Sequence, residues 1–113
     1  MSQIVRIRKT KLKDKEMLSQ ALTDLGYKIR FARFQDKIRI IGMRISFVKT
    51  NEFYDMVYVN QGDLNSKNEF LNQVNQRYIY NITVTKLEQQ GFSMASEQTE
   101  KDGRIHLVLR RAV

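Results

Sequence analysis

Basic side chains at alternate positions are the residues of this chain best placed to do chemistry. Arg6 and Arg8, Lys28 and Arg30, and Lys37 and Arg39 each bracket an isoleucine, and Arg104, His106 and Arg110 repeat the pattern near the other end. Period two is the signature of a strand, whose alternate side chains share one face. Cations lined up in this way hold phosphates or carboxylates by charge, and arginine adds a forked pair of N–H donors. That chemistry is the capture of an anion, not the making or breaking of a bond.

Residues for catalysis are harder to assemble. His106 is the single histidine and there is no cysteine. A histidine cluster for a metal, thiol chemistry and disulfides are therefore excluded. The five glycines are isolated, so neither a dinucleotide fingerprint nor a phosphate loop is present. Asp14, Glu16, Asp24 and Asp36 are scattered over a helix and turns, where caps and surface pairs account for them. The sequence predicts a non-enzymatic protein without a cofactor; a carboxylate pair assembled by the fold is the one enzymatic alternative. The tripeptide Asn81-Ile82-Thr83 matches a glycosylation acceptor, but it falls on a predicted helix and no secretory signal precedes it.

The formal charge of the 113 residues is +8. Residues 1–50 carry 13 Lys/Arg against 4 Asp/Glu, and residues 51–113 carry 7 against 8. The asymmetry favours an anionic partner for the first half, either nucleic acid or an acidic protein surface. The alternative is a solvated cationic surface that serves solubility. No apolar run is long enough to cross a membrane.

These side chains must be positioned by short elements. Residues 3–9 read as a strand with Val5 and Ile7 facing inward and Arg6 and Arg8 outward. Asp14 is the expected N-cap of a helix carrying Met17, Leu18, Ala21, Leu22 and Leu25, and Gly26 is its expected left-handed end. "YKIRFARF" and "QDKIRIIG" follow as strands joined at Gln35-Asp36. "NEFYDMVYVN" is a further strand, with Tyr54, Met56 and Tyr58 inward and Asp55 outward. Ser66 and Glu69 form the pattern of a capping box, which predicts a helix over 66–90 closed by Gly91. Its stretch "YIYNITVT" is β-branched and would pass for a strand. "FSMASEQ" and "RIHLVLRR" are the last strands, turned at Asp102-Gly103.

"LTDLGY" at 22–27 and "LEQQGF" at 87–92 end the two helices in nearly the same words. Each half therefore reads strand–helix–strand–strand. The fold class expected is α+β: one domain, 1–113, of two β-α-β-β units divided near residue 50. This would be an internal duplication, with an antiparallel-rich sheet and two helices on one face.

On that fold the outer face carries the predicted anion-binding set Arg6, Arg8, Lys28, Arg30, Lys37, Arg39, Arg104 and Arg110. Phe34 is the one aromatic expected there, fewer than base stacking on single strands normally uses. A second candidate contact, for assembly with a larger protein complex, is Gln76, Arg77 and Tyr78 on the long helix.

The landmarks Ile7-Arg8-Lys9-Thr10 after Met1-Ser2, Leu25-Gly26-Tyr27, Gln76-Arg77-Tyr78, Gln90-Gly91-Phe92, Asp102-Gly103 and Arg110-Arg111 resemble the hypothetical chloroplast reading frame thirty-five family. That family occurs in algal plastid genomes, cyanobacteria and some other bacteria. Gln3 stands where its members often carry histidine. The resemblance implies no particular activity. It implies a location in the plastid stroma or, for a bacterial member, the cytoplasm.

Overall fold

The computed structural model describes residues 5–59, 64–99, 101 and 104–111. The elements run β1 (Val5–Arg8), α1 (Lys15–Asp24), β2 (Ile29–Phe31), β3 (Lys37–Ile40), β4 (Ile45–Lys49), β5 (Tyr54–Val59), α2 (Leu64–Gln89), β6 (Phe92–Thr99) and β7 (Ile105–Arg111). Five strands form an antiparallel sheet in the order β1-β5-β4-β3-β2, and β6 and β7 form a separate hairpin. The architecture is α+β.

Helix α1 begins and ends as its sequence dictates. The Asp14 carboxylate accepts the Met17 N–H at 3.1 Å, which satisfies one of the amides a helix start leaves unpaired. At the other end Gly26 has φ +92°. Its N–H donates to the Thr23 carbonyl and the Tyr27 N–H to the Leu22 carbonyl, both at 3.0 Å. This pair of bonds closes a helix only when a residue with positive φ follows the cap. The Tyr27 ring then lies edge-on to Phe70 of α2, 5.2 Å between centroids. Gly91 repeats the device after α2, with φ +94° and its N–H on the Glu88 carbonyl. The echo in the sequence is an echo of helix ends.

It does not extend to the sheets. Between "IIG" and "NEFYD" lies β4, which the strand–helix–strand–strand reading lacks. Gly42, with φ +85°, turns β3 into β4, and the Met43 N–H donates to the Ile40 carbonyl across that turn. Consequently β5 belongs to the first sheet, flanked by β1 and β4, while β6 and β7 pair only with each other among the described residues. Strand β2 is also shorter than expected, ending at Phe31, with the Ala32 N–H donating to the Lys37 carbonyl at the mouth of the turn.

One core joins both helices to one face of the sheet. Leu18, Ala21 and Leu22 of α1 and Phe70, Leu71, Val74 and Tyr78 of α2 cluster with Ile38, Ile40, Ile45, Phe47, Tyr54, Met56 and Tyr58. Leu12, on the segment before α1, is buried with them. Helix α2 starts at Leu64, so Ser66 is its third residue and not the expected N-cap. Residues 79–85 are helical throughout, since the buried stripe from Phe70 to Tyr78 outweighs the β-propensity of "YIYNITVT". The Asp102-Gly103 turn lies outside the described residues, although the hairpin it would close is formed.

Candidate binding face

Sheet register decides which side chains share a face, because directly opposite residues of an antiparallel pair point the same way. Ile38 lies opposite Phe47, and Phe47 opposite Met56; these three form part of the helix-covered face. Across the sheet from β2 to β1, the next row reads Arg30, Arg39, Ser46, Val57 and Ile7, and it belongs to the uncovered face. The Ile41 N–H donates to the Lys28 carbonyl and the Val59 N–H to the Arg44 carbonyl. Those bonds extend the open face to Lys28, Ile41, Arg44, Val59 and Val5. A third row holds Lys37, Val48 and Asp55.

The open face is thus divided. Lys28, Arg30, Lys37, Arg39 and Arg44 occupy the β2–β3–β4 side, and among the described residues none of the five makes an ion pair. Arg30 stands directly opposite Arg39, an arrangement that repels within the sheet. The β5–β1 side is aliphatic. Val5 and Ile7 are 59% and 63% exposed, and Val57 and Val59 are half-buried beside them. Phe34, 91% exposed, stands next to Arg33 in the turn between β2 and β3.

Among the described residues Asp55 is the one acid of this face, and it is occupied. It is 2% exposed and accepts from Lys9 Nζ at 2.8 Å and from Thr50 Oγ1 at 2.9 Å. The hydrogen bond from Lys9, aided by Thr50 and the lysine charge, outweighs burial and holds the carboxyl below the usual range. The strand alternation places Asp55 on the outer face as expected, but it is sealed there.

The predicted anion-binding set is therefore only partly assembled. Lys28, Arg30, Lys37 and Arg39 come together. Arg6 and Arg8 do not join them: Arg6 lies opposite Tyr58 and Arg8 opposite Met56, on the helix side of the sheet, and Arg8 donates to Asn68 of α2. The two-residue period is right and the facing is inverted. The register is pinned further along, where Lys9 meets Asp55, the Thr10 hydroxyl donates to the Tyr54 carbonyl and Leu12 enters the core. A one-residue slip would undo all three. Arg104 and Arg110 belong to the separate hairpin segment, off this sheet. Arg44 joins the four just before β4, a strand absent from the expected strand–helix–strand–strand plan although "RISFV" alternates cleanly.

The candidate contact on α2 resolves differently for each member. Tyr78 is buried and its hydroxyl accepts the N–H groups of Lys13 and Asp14 at 3.1 and 2.9 Å, so it anchors the segment entering α1. Arg77 Nε bonds Asp24 Oδ2 at 3.1 Å and its guanidinium lies 4.3 Å from the Tyr80 ring centre. Gln20 and Asn81 also donate to Asp24. Burial pushes the Asp24 carboxyl up, but these three donors and the arginine charge together hold it below its ordinary value. This network ties α1 to α2, and it uses Asn81 of the glycosylation tripeptide. Gln76 alone of the three is exposed.

Among the described residues no cluster of three histidine, cysteine or acidic side chains could hold a metal ion, and no helix is long and apolar enough to cross a membrane. Residues 26–108 match the family described as "Protein of unknown function (DUF1257)". The uncharacterized protein ycf35 of Guillardia theta is 31% identical over 121 aligned positions, covering 91% of this chain and 92% of that protein. No solved structure matches the chain. The family match spans most of the chain and the relative aligns over nearly all of it, so this protein belongs to the DUF1257 family and to the ycf35 group whose landmarks its sequence carries.

Proposed function

We propose that the protein is a non-enzymatic accessory module that docks an acidic protein surface on the open face of its sheet. The observation that supports this reading is the division of that face: five cations that make no ion pair among the described residues, beside a strip of exposed aliphatic side chains. A protein interface combines an apolar patch with complementary charge. Nucleic acid would use the same cations, but its bases stack on several aromatic rings; the β2–β3 turn offers Phe34, whereas the strip beside the cations is valine and isoleucine. The Arg30–Arg39 pair costs the free sheet stability, as side chains kept for a partner often do. The setting we infer is the plastid stroma or a bacterial cytoplasm.

Fluorescence anisotropy separates the possibilities. The purified chain is titrated into a labelled acidic peptide containing leucines, polyglutamate, single-stranded RNA and duplex DNA, over roughly 50–200 mM salt. The leucine-containing acidic peptide should bind more tightly than polyglutamate. Its binding should weaken with Arg30→Glu/Arg39→Glu and with Ile7→Ser. RNA or DNA bound more tightly than the peptide, with Ile7→Ser without effect, would overturn the assignment.

A further inference from the structure

We infer that a second, separate site takes an extended acidic segment of a partner protein, in a groove between α2 and the chain leaving β1. The groove has a volume of about 640 Å³, within the range of cavities that hold ligands. Its floor is apolar. Leu12 and Leu71 lie at its base, and Phe53 and Ile79, 37% and 62% exposed, form its walls.

Three features give the occupant its chemistry. First, the rim on one side is cationic, with Arg8 and Lys11 and no acid among the lining residues, while the ammonium of Lys9 between them is engaged by Asp55. Second, the other rim carries Asn72 and Asn75. These amides offer both donors and acceptors, the pairing that a peptide main chain in extended form needs. Asparagine is also a weak helix former, and Asn68, Asn72 and Asn75 follow one another along one side of α2, ending at Ile79. Third, Ile79 leaves more than half of its side chain in water while flanked by apolar floor, the position of an anchor contact. A segment with one apolar side chain flanked by carboxylates satisfies all three.

A second copy of this chain fits poorly, because a protein of net charge +8 would approach a rim that is itself positive. The site does not depend on the open-face reading. Its cations and apolar residues differ from those of that face, apart from Lys9, which points from the rim segment to Asp55.

The test uses the full chain, isotopically labelled, and a twelve-residue peptide of aspartate and glutamate with one central leucine. Binding followed by amide NMR shifts should perturb Lys11, Leu71, Asn72, Asn75 and Ile79. Ile79→Ser and Lys11→Glu, both exposed positions whose folding is checked by the unchanged remainder of the spectrum, should each weaken this contact at least about tenfold. Arg30→Glu/Arg39→Glu should leave these shifts in place. Shifts confined to the open face would overturn the groove while leaving the first reading standing. Absence of groove shifts at millimolar peptide would overturn it too. So would a concentration-dependent dimer abolished by Ile79→Ser, since that would assign the groove to a second copy.

Discussion

Two residues on the open face sit in opposite electrostatic situations. Asp55 is buried and held by Lys9 and Thr50; Arg39 is exposed and faces Arg30. Because the folded Asp55 pKa is lowered, its contribution to stability is complete above the unfolded value near 4 and is lost as pH falls through the folded value. Asp24 is lowered as well and acts in the same window. Thermal melts from pH 7 down to about pH 2 should therefore show a loss that steepens below about pH 4. Asp55→Asn should lower stability at neutral pH by about 1–2 kcal/mol, and the gap to the parent should close in acid. At Arg39 the sign reverses. Arg39→Glu places an opposite charge against Arg30 and should stabilise the fold by roughly 0.2–1 kcal/mol, read as a raised Tm. A lowered Tm would mean that the arginine pair is not strained.

At the scale of elements, the helix ends were the most legible part of the sequence. Asp14, Gly26 and Gly91 occupy the positions their chemistry suggests, because capping is local and involves residues within one turn of each other. A Cβ at Gly26 would meet no atom within 4 Å, so Gly26→Ala should cost only the left-handed backbone, about 1–2 kcal/mol by chemical denaturation. The strand faces were legible in period but not in sign. Alternation says that Arg6 and Arg8 differ from Val5 and Ile7, whereas only the pairing with β5 says which pair faces the helices. The usual rule that apolar residues point inward fails here because β1 is an edge strand, beyond the deepest part of the core. Strand β4 is harder to see in the sequence, although Ile45 and Phe47 alternate with Ser46 and Val48, because a glycine turn at Gly42 rather than a polar pair introduces it. Of the candidate site, four cations came together as expected. Arg44 and the aliphatic strip became visible only with β4 and the register of β1 in place.

For the molecule as a whole, charge and shape are unevenly distributed. The principal extents are 61 × 34 × 21 Å, since α2, about 39 Å long by its 26 residues at 1.5 Å each, runs past the core and ends at the β6–β7 hairpin. The basic half of the sequence supplies four of the five sheet strands, and the open face takes five of its cations while Arg6 and Arg8 lie on the helix side. Within that sheet β2, β3, β4 and β5 follow one another as a meander, with every pairing between neighbours in sequence. Strand β1 alone must return from far away, Val5 to Val59, and pays the loop-closure entropy of all the chain between. In the order of assembly this makes β1 the late arrival, added to a meander that already holds most of its contacts. Disturbing its anchors by Lys9→Ala or Thr10→Val should then quicken unfolding while leaving the refolding rate nearly constant, which stopped-flow denaturant jumps would resolve. The strand that carries the exposed Val5 and Ile7 would also be the first to leave when the protein opens.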